Sequence, residues 1–166
     1  MKNIFNYFLC FFCAKKQTEN IYMKELHESE WENTQPFIPD VTYGKVIKVY
    51  DGDTITIAAK PYHDYPVYRF SVRLNGIDAP ELKTKSVNEK KHAVDSRDAL
   101  KEKILGRMVM LENVKHDKYG RLLADVFLHK ENICKWMLHE NFAVEYDGGT
   151  KKKPAEWYEL IYQKNK

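Results

Sequence analysis

Three short stretches of the sequence carry residue types and spacings suited to chemistry. The first is Asp51-Gly52-Asp53-Thr54, two carboxylates two residues apart beside a hydroxyl. Standing alone, it reads more simply as a type I′ hairpin turn made by Asp51 and Gly52, with Asp53 in solvent. The second is Asn75-Gly76-Ile77-Asp78-Ala79-Pro80-Glu81, where two carboxylates lie three residues apart at a Pro-containing strand exit. By itself this is an ordinary charged loop; read for function, the strand end presents Asp78 and Glu81 toward one cleft. A hard cation such as Ca2+ needs several oxygen ligands, which Asp53, Asp78, a backbone carbonyl and water supply. A further carboxylate, left off the metal, is what a water-activating base requires. Arg73, five residues before Asp78, and Arg121, directly after Tyr119-Gly120, complete the set. A lone arginine is usually a solvated surface charge. Two of them beside a carboxylate-held cation have another use. Their planar, permanently charged forks suit non-bridging phosphate oxygens and the extra charge of a pentacovalent transition state.

These residues need elements to hold them. Gly44–Tyr50 and Thr54–Ala58 are β-rich runs on either side of Asp51-Gly52. Residues 67–77 alternate, with Tyr68, Phe70, Val72 and Leu74 facing one way and Arg69, Ser71, Arg73 and Asn75 the other. Arg73 therefore lies on the polar face of a strand that ends at Gly76–Pro80. A helical period follows over residues 90–105, where Ala93, Leu100 and Ile104 share a face and Gly106 is the stop. Residues 107–113 and 122–129 read as two more strands, joined by the turn Asp117-Lys118-Tyr119-Gly120. Ile133, Trp136 and Met137 fit a second helix; Pro154 ahead of Trp157, Leu160 and Ile161 fits a third. The order βββ-α-ββ-α-α predicts an α+β fold, a five-stranded OB-type β-barrel with three helices.

Composition sets wider bounds. With 166 residues, 43% hydrophobic and 31% charged, the chain fits one compact domain plus an appended segment and is not a disordered chain. Residues 1–40 carry four Lys against six Asp or Glu, whereas residues 41–166 carry 23 basic against 18 acidic residues. The domain is thus mildly basic, which suits a polyanionic partner. Cys10, Cys13 and Cys134 make no disulfide framework. The run from Ile4 to Ala14 is apolar and flanked by Lys2, Lys15 and Lys16. It is shorter than the roughly 20 residues that span a bilayer. It reads equally as a signal-peptide core or as a membrane-surface anchor with Cys10 and Cys13 open to acylation, and a plain tail is the third reading. The expectation is a membrane-associated or secreted protein if that segment acts, and a soluble intracellular one otherwise. Residues 17–40, polar and acidic with Pro36 and Pro39, read as a linker to a domain over 41–166. Nothing in the sequence marks a subunit interface, so a monomer is expected.

Taken together, the motifs resemble the staphylococcal nuclease (thermonuclease) family. The resemblance is carried by Val49-Tyr50-Asp51-Gly52-Asp53-Thr54, by residues 73–81, and by Asp117-Lys118-Tyr119-Gly120-Arg121, in that order, and runs from about residue 43 to 160. It implies an endonuclease that hydrolyses DNA or RNA with little sequence specificity and leaves 3′-phosphate ends. It further implies that Asp53, Asp78 and the carbonyl of Ala79 hold Ca2+, and that Glu81 is the general base or water orienter. Arg73 and Arg121 match the phosphate-binding arginines; Lys118, Tyr119 and Tyr146 match positions that contact a nucleotide. The rival reading is a non-catalytic OB module that binds single-stranded nucleic acid or protein ligands.

Overall fold

A computed structural model of the chain describes residues 19–150 together with Pro154 and Trp157. The apolar run of residues 4–14 and most of the third expected helix, around residues 154–161, lie outside the described residues. The chain divides into two compact units, Met1–Phe37 and Ile38–Lys166. In the first, the stretch that reads as a linker contains helical residues 19–27 and one 3-10 turn, Trp31–Asn33. Lys24 and Glu28, a helical turn apart, pair there at 3.7 Å, a contact worth only ~0.2–0.5 kcal/mol. Every described residue of this unit is exposed.

The second unit is a barrel. Strands β1 (Tyr43–Val49), β2 (Thr54–Ala59) and β3 (Tyr68–Leu74) form an antiparallel meander. A two-residue strand β4 (Ile77–Asp78) leads to helix α1 (Val87–Ile104), followed by β5 (Met108–His116) and β6 (Leu122–Leu128). The chain continues through β7 (Glu131–Asn132), helix α2 (Ile133–His139) and β8 (Val144–Glu145). β5 pairs with both β1 and β6, and β6 runs parallel to β3. The sheet therefore closes in the order β1-β2-β3-β6-β5, the OB-type barrel expected from the sequence. The third strand stops at Leu74, short of residue 77, because the chain turns at Gly76 before β4 pairs with β8.

Strand alternation fills the interior. Ile55, Ile57, Val72, Leu74, Val109, Leu111, Ala124 and Val126 are all buried, each two residues from its partner on the strand. β1 breaks the rule: its register shifts between Val46 and Lys48. This bulge buries Val46 and Val49 while Ile47 faces out. Helix α1 is capped by Ser86 Oγ, which accepts from the Glu89 amide at 3.2 Å. It turns Glu89, Ala93, Ser96, Leu100 and Ile104 inward, residues three or four apart and hence on one stripe. Full burial of each Leu or Ile contributes ~1.5–3 kcal/mol.

Candidate active site

Register explains why distant residues meet. Thr54 faces Arg73 across β2 and β3, and Arg73 faces Leu123 across the parallel β3–β6 pairing. Arg121 stands two residues before Leu123. Barrel closure thus converts a large sequence separation into contact. Arg121 Nη1 donates to Thr54 Oγ1 at 3.2 Å, and Thr54 Oγ1 donates to Asp53 Oδ1 at 2.9 Å.

Arg73 is the centre of this cluster and is buried. Its Nη1 pairs with Asp53 Oδ2. Its Nη2 donates to Asp78 Oδ1 at 3.1 Å and to the Ile77 carbonyl at 3.2 Å. Asp53 Oδ2 also accepts from the Ala79 amide at 3.1 Å. The two aspartates from separate chain segments therefore flank one guanidinium, a planar fork suited to two carboxylates at once.

The simple turn reading of Asp51-Gly52 is corrected here. Neither residue has a positive φ, which a type I′ turn requires at both. Asp53 is 6% exposed, far from a solvated turn residue. Gly52 is needed for close approach instead: a Cβ there would overlap the Ser96 hydroxyl of α1 and lie 2.7 Å from the Ala79 Cβ. A side chain at Gly52 would push the Asp53 loop away from the Ala79 segment, and the Ala79 amide bond with it.

Glu81 is exposed and lines the same cavity. The loop that carries it is tied to α1 through Glu89, a carboxylate 1% exposed. Glu89 Oε2 accepts from Thr84 Oγ1 at 2.6 Å, and Oε1 accepts from the Glu81 amide at 3.4 Å.

The turn between β5 and β6 presents Arg121. Asp117 Oδ1 accepts from the amides of Tyr119 and Arg121 at 2.8 and 2.9 Å, and Oδ2 accepts from Arg121 Nε at 2.6 Å. Gly120 supplies the left-handed residue of this turn, at φ +78°. Burial works against the Asp117 charge, but the Arg121 hydrogen bond and the two amides outweigh it and hold the carboxyl below its ordinary value. Tyr119 is 72% exposed; Lys118 Nζ and Arg121 Cζ lie 5.2 and 5.5 Å from its ring centroid. Tyr146 also lines the cavity. Its amide donates to the Gly76 carbonyl at 2.9 Å and its hydroxyl to the Gly149 carbonyl at 3.1 Å.

All nine residues singled out by sequence, apart from Asp78, line one cavity of about 1010 Å3, and Asp78 joins it through Arg73. Two residues that sequence reasoning left without a role belong there as well. Asp51 lines the cavity; burial pushes its carboxyl up, Thr54 and Arg73 pull it down, and Glu81 adds to the rise. Its two-residue spacing from Asp53 was the available signal. Asp117 orients Arg121, and its spacing of four residues ahead of that arginine, with Gly120 between, is the mark of such a turn.

Among the described residues, no three His, Cys, Asp or Glu side chains stand close enough to chelate an ion by themselves. Asp53 and Asp78 both pair with the Arg73 guanidinium, and Asp53 also accepts from Thr54 Oγ1 and the Ala79 amide; the carboxylate oxygens themselves are the ligand type that Ca2+ or Mg2+ takes.

Residues 71–165 match the family model described as staphylococcal nuclease homologue. A probable endonuclease of Schizosaccharomyces pombe is 29% identical over 153 residues, which cover 75% of this chain and 66% of that protein. A thermonuclease of Staphylococcus hyicus is 34% identical over 101 residues, covering 60% of this chain and 56% of its own. An uncharacterized endonuclease of Haemophilus influenzae is 33% identical over 102 residues, covering 61% and 51%. The chain spans 33% to 66% of the length of the first curated relatives it matches. The family match covers more than half of the sequence and falls on β3, α1 and the Arg121 turn, the elements that carry most of the site: this chain belongs to the staphylococcal nuclease homologue family.

Proposed function

We propose that the chain is a nuclease that hydrolyses phosphodiester bonds in DNA or RNA with little sequence preference and leaves 3′-phosphate ends. One observation carries the reading: Asp53, Asp78, Arg73 and Arg121, drawn from three chain segments, are linked by hydrogen bonds and ion pairs at the cavity that Glu81 also lines. Relatives named endonuclease and thermonuclease support it.

The residues then divide the work. Arg73 and Arg121 bind the non-bridging oxygens of the scissile phosphate, turning toward it from their carboxylate partners. Glu81 takes a proton from the attacking water. The water oxygen bonds to phosphorus as the bond to the 5′ oxygen breaks; the leaving 5′ oxygen takes a proton from solvent water, so that the departing strand carries a 5′-hydroxyl and the other keeps the phosphate. Asp117 keeps Arg121 aimed. Lys118 and Tyr119 contact the neighbouring nucleotide, the exposed ring by stacking, and Tyr146 borders the same space. Contacts to backbone and base faces carry little sequence information, which accounts for weak specificity. Asp53, Asp78 and the Ala79 carbonyl would hold Ca2+, which when bound supplies Lewis acidity and a clamp on the phosphate.

The test is incubation with single-stranded DNA and Ca2+, with and without a chelator. Cleavage that the chelator stops is expected; its absence would favour the non-catalytic OB module. Glu81→Gln should cut kcat by about 10²–10⁴ with little change in nucleotide or Ca2+ affinity. Equal losses in turnover and both affinities would remove Glu81 as the base.

A further inference from the structure

The same sheet face that carries Arg73 continues away from the cavity, where it carries three further cations, Lys45, Lys48 and Arg69. On β3, Arg69 and Ser71 have the parity of Arg73; on β2, Thr56 and Ala58 have the parity of Thr54. The cross-strand partners form rows. Lys48, Thr56 and Ser71 make the row next to Thr54 and Arg73, and Lys45, Ala58 and Arg69 make the one after. Lys45, Lys48 and Arg69 are exposed, and among the described residues none forms an ion pair with a carboxylate. No residue facing outward on β1, β2 or β3 is acidic. The middle of each row is small (Thr56 and Ala58), so the face is a shallow floor; Lys45 and Arg69 stand on either side of Ala58, and Lys48 stands on the β1 side of Thr56, opposite the neutral Ser71.

Aromatic residues stand at both ends of this floor. Tyr50, 50% exposed, directly precedes the cavity residue Asp51, and Lys48 Nζ lies 5.7 Å from its ring centroid. At the far end Tyr43 is 61% exposed, and the loop beyond β2 exposes Tyr62 and Tyr65, their ring centroids 5.1 Å apart. Rows two residues apart are separated by about 6.8 Å, so Arg69 lies about 14 Å from Arg73 along the strand. The single row spacing of about 6.8 Å is comparable with the step between adjacent phosphates of an extended single strand, so the distance from Arg69 to Arg73 spans about two such steps. Basic rows flanking a flat floor, with stackable rings, are the features by which single strands are held without regard to sequence.

We propose that the outer face of β1–β3 is a track for single-stranded nucleic acid, in which Lys45, Lys48 and Arg69 bind phosphates of a strand leading into the cavity and Tyr43 and Tyr50 stack bases. The proposal deepens the nuclease reading and rests on it for the strand's direction toward the cavity.

Binding of a labelled oligothymidylate of about 20 nucleotides, followed by fluorescence anisotropy on the full chain in chelator, separates the track from catalysis. The variant Lys45→Gln/Lys48→Gln/Arg69→Gln should bind about tenfold or more weakly, and its slope of log affinity against log salt should fall by about 2, at roughly 0.7 per phosphate contact. The charge-matched control Lys90→Gln/Lys91→Gln/Lys101→Gln, on exposed positions of α1, should change both far less. Equal losses in the two variants, or an unchanged slope, overturn the track; an equal loss on a blunt duplex overturns the assignment to single strands. In Ca2+, the track variant should lose kcat/KM on the long strand but not on a dinucleotide. If the parent protein cuts neither substrate, the nuclease reading fails while the binding data still decide the track. If it cuts both and the variant matches it on the long strand, the track fails and the nuclease reading stands.

Discussion

Asp51 shows how finely single side chains are balanced at this site. It sits on the cavity wall, where burial raises its carboxyl pKa, Thr54 and Arg73 oppose the rise, and Glu81 adds to it. A carboxyl whose folded value exceeds its unfolded one binds more protons when folded, so its contribution to stability is present at low pH and is lost as pH rises through the folded value. Asp51→Asn removes that loss and keeps an oxygen for the Asp53 amide, which now donates to Asp51 Oδ1 at 3.2 Å. The variant should resist urea better than the parent near neutrality, and the advantage should vanish below about pH 4, where both side chains are neutral. An advantage of equal size at both pH values would mean that burial of the charge is not its source. Asp117 has the opposite sign. Its lowered pKa adds stability above the ordinary carboxylate range, lost as pH falls through the folded value.

At the scale of elements, the link from β4 to α1 is the one on which Glu81 depends. Its loop leaves the barrel at Pro80 and is fastened at the first turn of the helix by Glu89, through Thr84 Oγ1 and the Glu81 amide. Glu89→Ala takes away the acceptor for both. Hydrogen bonds to a charged group are worth about 1.5–3 kcal/mol, and a stability loss of that order is expected by urea denaturation. Nucleic-acid cleavage should also show a lower kcat with KM little changed, because the loop that aims Glu81 is loosened while the arginines stay in place. Glu89→Gln keeps one oxygen acceptor and should recover part of both. A stability loss with kcat unaltered would show that the fastening serves the fold alone.

At the scale of the whole molecule, the parallel pairing of β6 with β3 is what makes a site out of separate motifs. Every residue of the site and of the hydrophobic core belongs to the unit Ile38–Lys166. Removal of residues 1–37 should therefore leave the unfolding midpoint and cleavage of a short substrate unchanged; a large drop in either would show that the first unit supports the barrel. Among the described residues no helix is long and apolar enough to cross a membrane. A membrane-surface role for residues 4–14 stands as a separate proposal. Equal membrane partitioning of the full chain and a chain lacking residues 1–16 would rule it out.

The sequence by itself determined the elements and the cast of the site. Alternation in residues 67–77 placed Arg73 on the polar face of a strand, the period of Ala93, Leu100 and Ile104 marked the core stripe of α1, and the ordered motifs pointed to the family. Such patterns are legible because side-chain direction repeats locally, every two residues on a strand and every 3.6 on a helix. They say nothing about which elements adjoin. The β1 bulge that exposes Ile47, the burial of Asp53 and the close approach at Gly52 each depend on a neighbour remote in sequence. Asp51 in the cavity wall and the bond from Arg121 to Thr54 depend on it too. Only closure of the barrel decided those, since it alone fixes which strand ends share one desolvated space.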